Sequence, residues 1–96
     1  MRVMLRATMD TEKANELISE GKLPQLMQET MERLKPEATY FTTHEGSRAC
    51  YMVFDLQDSS QIPVIAGPLF MSLGARIELA PVMNAEDLKK GLAQLG

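Results

Sequence analysis

The 96-residue chain has no tryptophan, one cysteine and one histidine, and only 5% of its residues are aromatic. A lone thiol cannot close an internal disulfide, so the fold must rest on packing, and a reducing, cytoplasmic setting is expected. One His and one Cys do not make a zinc site unaided, and there is no glycine-rich phosphate loop or nucleophile elbow. Neither a metal nor a cofactor is therefore expected. Ten Lys and Arg stand against thirteen Asp and Glu, a formal charge of −3. There is no basic run, and nucleic-acid binding calls for a basic stripe. No apolar stretch approaches the roughly 18 residues of a membrane-spanning helix. The first residues read as a strand, without the layout of a signal peptide. Nucleic acid and membrane are thus not expected partners.

What is present is an ordinary globular balance, 45% apolar and 24% charged, in a length that suits one domain over residues 1–96. A chain of this size buries roughly 60–65% of its unfolded surface, enough for a single core. Methionine is plentiful, and flexible thioethers fill irregular gaps, so Met27, Met31, Met52 and Met71 read as core packing. Cys50, inside an apolar run, reads as a small buried hydrophobe and not as a nucleophile.

The patterns come in the order strand, helix, strand, hairpin, strand, helix, strand. Residues 2–9 alternate, with Val3, Leu5 and Ala7 on one side and Arg2, Met4, Arg6 and Thr8 on the other. Asp10 and Thr11 offer capping oxygens to a helix from Glu12. Gly21-Lys22-Leu23-Pro24 interrupts it, and helical spacing resumes through Leu26, Met27, Met31 and Leu34 until Pro36. Thr39–Thr43 and Arg48–Leu56 read as strands joined by a tight turn at His44-Glu45-Gly46. The apolar run Cys50–Leu56 predicts a central strand buried on both faces. Asp58-Ser59-Ser60-Gln61 caps a helix carrying Ile62, Ile65, Leu69, Phe70 and Leu73, with a kink expected at Pro68. Residues 75–82 alternate again, and Asn84 caps a last helix, Ala85–Leu95, with Leu88, Leu92 and Leu95 as its contact stripe. This order is the ferredoxin-like βαββαβ plan, an α+β fold with a four-stranded antiparallel sheet and helices on one face.

If helices cover one face, the apolar sides belong there: Val3, Leu5, Ala7, Phe41, Cys50, Met52, Phe54, Ile77 and Leu79. The other face then carries Met4, Arg6, Thr8, Tyr40, Thr42, Tyr51, Val53, Asp55, Arg76 and Glu78. For the two middle strands either register fits, so Tyr40 and Phe41 compete for the second face, and a one-residue slip exchanges the faces. That face mixes apolar bodies with charges, which suits a surface covered by a second copy's sheet with a polar pocket in or beside the seam. In this plan the first and last strands are neighbours, so Arg6 and Glu78 can pair across them, either to fix register or to orient a ligand. Arg6 and Arg76 offer planar forks for a carboxylate. Tyr40 and Tyr51 offer a ring surface and a hydroxyl. Proton transfer near neutral pH would fall to His44, the sole histidine, or to Glu78. Fold alone does not fix chemistry.

Three stretches carry a family resemblance: Tyr51-Met52-Val53-Phe54-Asp55, Gly67-Pro68-Leu69-Phe70 and Ala75-Arg76-Ile77-Glu78-Leu79. They resemble the dimeric α+β barrel superfamily, with spacing most like muconolactone isomerase. The chain as a whole is similar to short bacterial relatives of unknown function, through Leu23-Pro24, Tyr40-Phe41-Thr42, Ser60-Gln61-Ile62-Pro63 and Pro81-Val82-Met83. The resemblance implies a homodimer with sheets face to face and a small organic ligand between sheet and helices or near the seam. The expected function is a small-molecule binder, or a cofactor-independent isomerase or oxygenase, acting on a small cyclic or carboxylated metabolite. The alternative is a non-catalytic assembly module that uses the sheet face only as a subunit interface.

Overall fold

The first strand, β1 (Arg2–Thr8), runs straight into a capped helix in the computed structural model, which describes all 96 residues. The Asp10 side chain accepts from the Lys13 N–H at 3.1 Å and starts α1 (Thr11–Ser19). The second helix, α2 (Leu23–Leu34), begins with Pro24 in its first turn, where a missing N–H leaves no helical bond unmade. The predicted interruption is thus a clean break between two helices. Strands β2 (Ala38–His44) and β3 (Ser47–Asp55) flank a two-residue turn, Glu45-Gly46, with φ of 50° and 82°. Positive φ at both positions matches the twist of a tight hairpin, which is why glycine stands second. A short 3₁₀ turn (Ser59–Gln61), held by Asp58 accepting from the Ser60 N–H, leads into α3 (Ile62–Leu73). Gly74 ends α3 in the left-handed region, where a Cβ would meet the Lys13 side chain at 3.1 Å. Strand β4 (Arg76–Pro81) and α4 (Ala85–Ala93) complete the chain.

The sheet order is β2-β3-β1-β4 with every pair antiparallel, the ferredoxin-like α+β arrangement. The core joins Val3, Leu5 and Ala7 of β1 and Cys50, Met52 and Phe54 of β3 to Ala14, Met27, Leu34, Ile65, Leu69 and Leu73 of the first three helices. These helices therefore lie on one face, and the opposite face carries no covering layer. Arg48 on the covered side donates to Asn15 at 2.9 Å and ties β3 to α1. No helix is long and apolar enough to cross a membrane.

Four expectations need correction. From Cys50 onward the central strand β3 is buried on one face only, because Tyr51 and Val53 point to the uncovered side and stay partly exposed, whereas Ala49 before them is buried there against Thr8. Met71 stands 80% exposed, on the outer surface of α3 and away from the core. The leucines of α4 touch no core, since α4 leaves the sheet after β4 with no element over it; Leu92 is 56% and Leu95 82% exposed. The helix also stops at Ala93, short of Leu95. This projection stretches the molecule to 55 × 27 × 18 Å, with a Cα radius of gyration of 15.2 Å, against about 12–13 Å for a compact domain of this length.

Pro68 does not divide α3, which runs unbroken through it. Proline brings no N–H to the carbonyl one turn earlier, on Val64. Arg33 of α2 donates to that carbonyl at 3.0 Å instead.

Candidate functional site on the uncovered sheet face

Alternation and register together decide which side chains share the uncovered face. Tyr40 pairs with Tyr51, Tyr51 with Arg6, and Arg6 with Glu78, so these four form one row across all four strands. At strand spacing of about 4.8 Å the row spans about 14 Å. Tyr40, not Phe41, is the open-face residue of the β2 pair; Phe41 stands opposite Cys50 on the helix side. Both are exposed, Tyr40 at 68% and Phe41 at 58%, because the helices stop short of the β2 edge.

Around the row the face is partly apolar and partly charged. Met4 and Val53 are half-buried neighbours one pair along, with Ala38 and Ala80 at the edges. Arg6 donates to Glu78 across β1 and β4. The Tyr51 hydroxyl first, and then the Glu78 carboxylate, hold the Arg6 guanidinium more firmly charged than usual. The row thus reads ring, ring, cation, anion.

The other two predicted site residues lie at the end of the face where the hairpin turns. Arg76 pairs with Thr8, two residues along β4 from Glu78, and His44 pairs with Ser47 beside the turn. Glu45 brings these two together, its carboxylate 3.7 Å from His44 Nε2 and 3.9 Å from Arg76 Nη2. Arg6 and Arg76 therefore do not form a single fork, since each already faces its own carboxylate. The predicted residues fall into a central row and an end cluster. No three His, Cys, Asp or Glu side chains gather to hold a metal ion.

The face is shallow, and none of the row residues lines a principal cleft. Arg76 alone borders one, a groove of about 350 Å³ beside Thr8, Asp10 and Gly74. Sequence reasoning missed a deeper cleft of about 400 Å³ on the helix side. It lies where α2 ends and α3 begins, with Leu34, Val64 and Ile65 as apolar walls and Arg33, Lys35 and Gln61 at its rim. The only sequence signal for it is indirect, in that Pro36 follows the end of α2 and Pro63 sits in the first turn of α3, near the same edge of the core.

No protein-family model matches the sequence, and neither does any curated protein. Among solved structures the chain is similar to a de novo designed protein, Ferredog-Diesel, with a TM-score of 0.50 over 84% of this chain and 85% of that chain at 9% identity. The likeness is one of fold, and it agrees with the four-stranded antiparallel ferredoxin-like arrangement described above.

Proposed function

We propose that the protein is a homodimeric α+β barrel that binds a small cyclic or carboxylated organic molecule in the seam between two uncovered sheet faces. The observation that carries the reading is the row Tyr40–Tyr51–Arg6–Glu78 on a face with no covering layer. Half-buried Met4, Tyr51 and Val53 beside a firmly charged Arg6 suit a site that packs a ring and holds an anion. Arg76, exposed at the rim, is the guanidinium freer to accept the ligand's carboxylate, while Tyr40 and Tyr51 pack the ring. Glu78 or His44 moves a proton if the protein is an enzyme, an isomerase or oxygenase needing no cofactor. The resemblance to muconolactone isomerase-like proteins supports this class of ligand. The helix-side cleft, within the size range of ligand pockets, is the competing seat.

Native mass spectrometry of gently purified protein tests the proposal. A dimer carrying an extra small mass is expected, and alanine at both Arg6 and Arg76 should release that mass while the dimer persists. Retention of the ligand by the double variant would reject the roles given to these arginines and favour the cleft.

One observation favours a second reading. Arg6 is already engaged by Glu78 across β1 and β4, so the row has no cation to spare. On that reading the face is a subunit interface without chemistry. Removing either Arg6 or Glu78 alone would then weaken the dimer, and no small molecule would accompany the native protein.

A further inference from the structure

The α4 helix is the one element whose apolar stripe has no partner. Leu88 and Leu92 lie one helical turn apart in it, with Met83 before the helix and Leu95 just after it, all exposed to solvent. Nine residues are too few for a helix to persist in water on propensity alone, for which about 12–15 are marginal. Yet α4 carries a complete capping box, in which Asn84 accepts from the Asp87 N–H at 2.8 Å and Asp87 accepts from the Asn84 N–H at 3.2 Å. Its first turn is also anchored. Arg2, an open-face residue of β1 by alternation, donates to Asp87 at 3.3 Å. A groove of about 560 Å³ between Arg2, Asp55, Val82, Met83 and Asp87 separates the helix from the end of the sheet. The arm is thus held at the uncovered side of the sheet and projects away from its own core.

We propose that α4 is a clasp that grips a second copy of this chain, its leucine stripe packing on the β2 edge of that copy over Tyr40 and Phe41 of the partner subunit. The inference rests on the face-to-face dimer proposed above and adds the element that holds it. Area supports it. Four strands about 4.8 Å apart and about seven residues long make a flat footprint of roughly 400 Å², small for an interface whose stable examples bury ~800 Å² of accessible surface per partner. Burying the α4 stripe and the bare aromatic edge supplies surface that the sheets lack. Symmetry supports it too. Two-fold closure makes the same patches meet twice. Stacking two open faces about an axis parallel to the strands sets β4 of one sheet over β2 of the other. The arm that follows β4 then lies beside the edge where Tyr40 and Phe41 stand bare, one on each face of the sheet. Within a single protomer β2 and β4 are opposite edges, so α4 does not serve its own β2.

Mixed disulfide trapping tests the clasp. Protein carrying Leu92→Cys is mixed with protein carrying Phe41→Cys and oxidised in air; Cys50 is buried and does not compete. A disulfide between the two different chains is expected, and neither variant alone should give as much covalent dimer. Sedimentation velocity on Leu88→Lys/Leu92→Lys provides the second measurement. Its dimer dissociation constant should rise at least tenfold, with the circular dichroism of the sheet and the thermal midpoint of the diluted monomer unchanged. A parent dimer that neither yields the mixed disulfide nor responds to the lysines overturns the clasp and leaves the face-to-face reading standing. A drop in the monomer's own midpoint also overturns it, because the stripe would then pack on its own core. A parent protein that stays monomeric at 100 µM overturns both.

Discussion

The two faces of the sheet are made from the same strands, residue by alternate residue, and they differ in almost every physical respect. On the helix side Leu5, Met52 and Phe54 are sealed under three helices, and the only polar ties are peripheral, such as Arg48 to Asn15. On the other side the largest neighbours, Met4, Tyr51 and Val53, are half exposed, and each charged residue is set against an opposite charge. The buried core of the single chain therefore lies on one face, while the other keeps its side chains half exposed. The contrast teaches that a small α+β domain can keep a mixed, half-exposed surface as long as one core is complete.

The sharpest way to break this comparison is a matched pair of truncations. Phe54→Ala, on the sealed face, should cost about 3–5 kcal/mol by urea unfolding, as loss of a buried aromatic does. Tyr40→Ala, on the open face, should fall within about 0.5 kcal/mol when the protein is dilute. Equal costs would show that the open face is already covered. A pH series probes the sealed face from within. Burial pushes the Cys50 thiol up, with a backbone hydrogen bond involving Ala7 offsetting part of the shift. The folded chain then keeps this proton at a pH where the unfolded chain, with a thiol near 8.5, has lost it. Stability should be level below that pH and fall above it, and Cys50→Ala should flatten the fall in urea melts from pH 7 to 10.

Two smaller effects sharpen the boundary between core and surface. Lys35 ends α2 at φ 48°, in the left-handed region that suits glycine. Lys35→Gly should stabilise the chain by about 0.5–1 kcal/mol, read as a higher urea midpoint. Asn84→Ala removes the cap of α4, worth about 1 kcal/mol to that helix. The global midpoint of the monomer should not move, while amide exchange in residues 85–93 should quicken. A global shift would mean that α4 shares the core after all.

Much of this was legible because β-strands alternate and the core is apolar. The division of residues 3–9 and 75–80 between faces followed from period two alone, and the break before Pro24 from a missing N–H. The choice between Tyr40 and Phe41 was not legible, since both are aromatic and the edge strand is bare on both sides. Only pairing with Tyr51 settles it. The candidate row followed from the register, but its division from the His44–Glu45–Arg76 cluster did not, because the hairpin's reach depends on a two-residue turn. The stripe on α4 was visible as amphipathic spacing. Such spacing says that a face needs cover and is silent on which molecule supplies it. The helix-side cleft left only the indirect trace of Pro36 and Pro63 in the sequence, being a gap between elements and not a property of any one of them.

The carbonyl that Pro68 leaves open has a consequence for motion. In an ordinary helix layer, neighbouring helices slide or part without breaking any backbone bond of their own. Here one backbone acceptor of α3 is satisfied by a side chain of α2, so the two helices share a hydrogen bond that belongs to neither ladder. Arg33 and Val64 also both line the 400 Å³ cleft, one at its rim and one in its wall. Parting the two helices at that cleft would release the guanidinium and hand the carbonyl to water, a cost in hydrogen bonding that neither helix would meet alone.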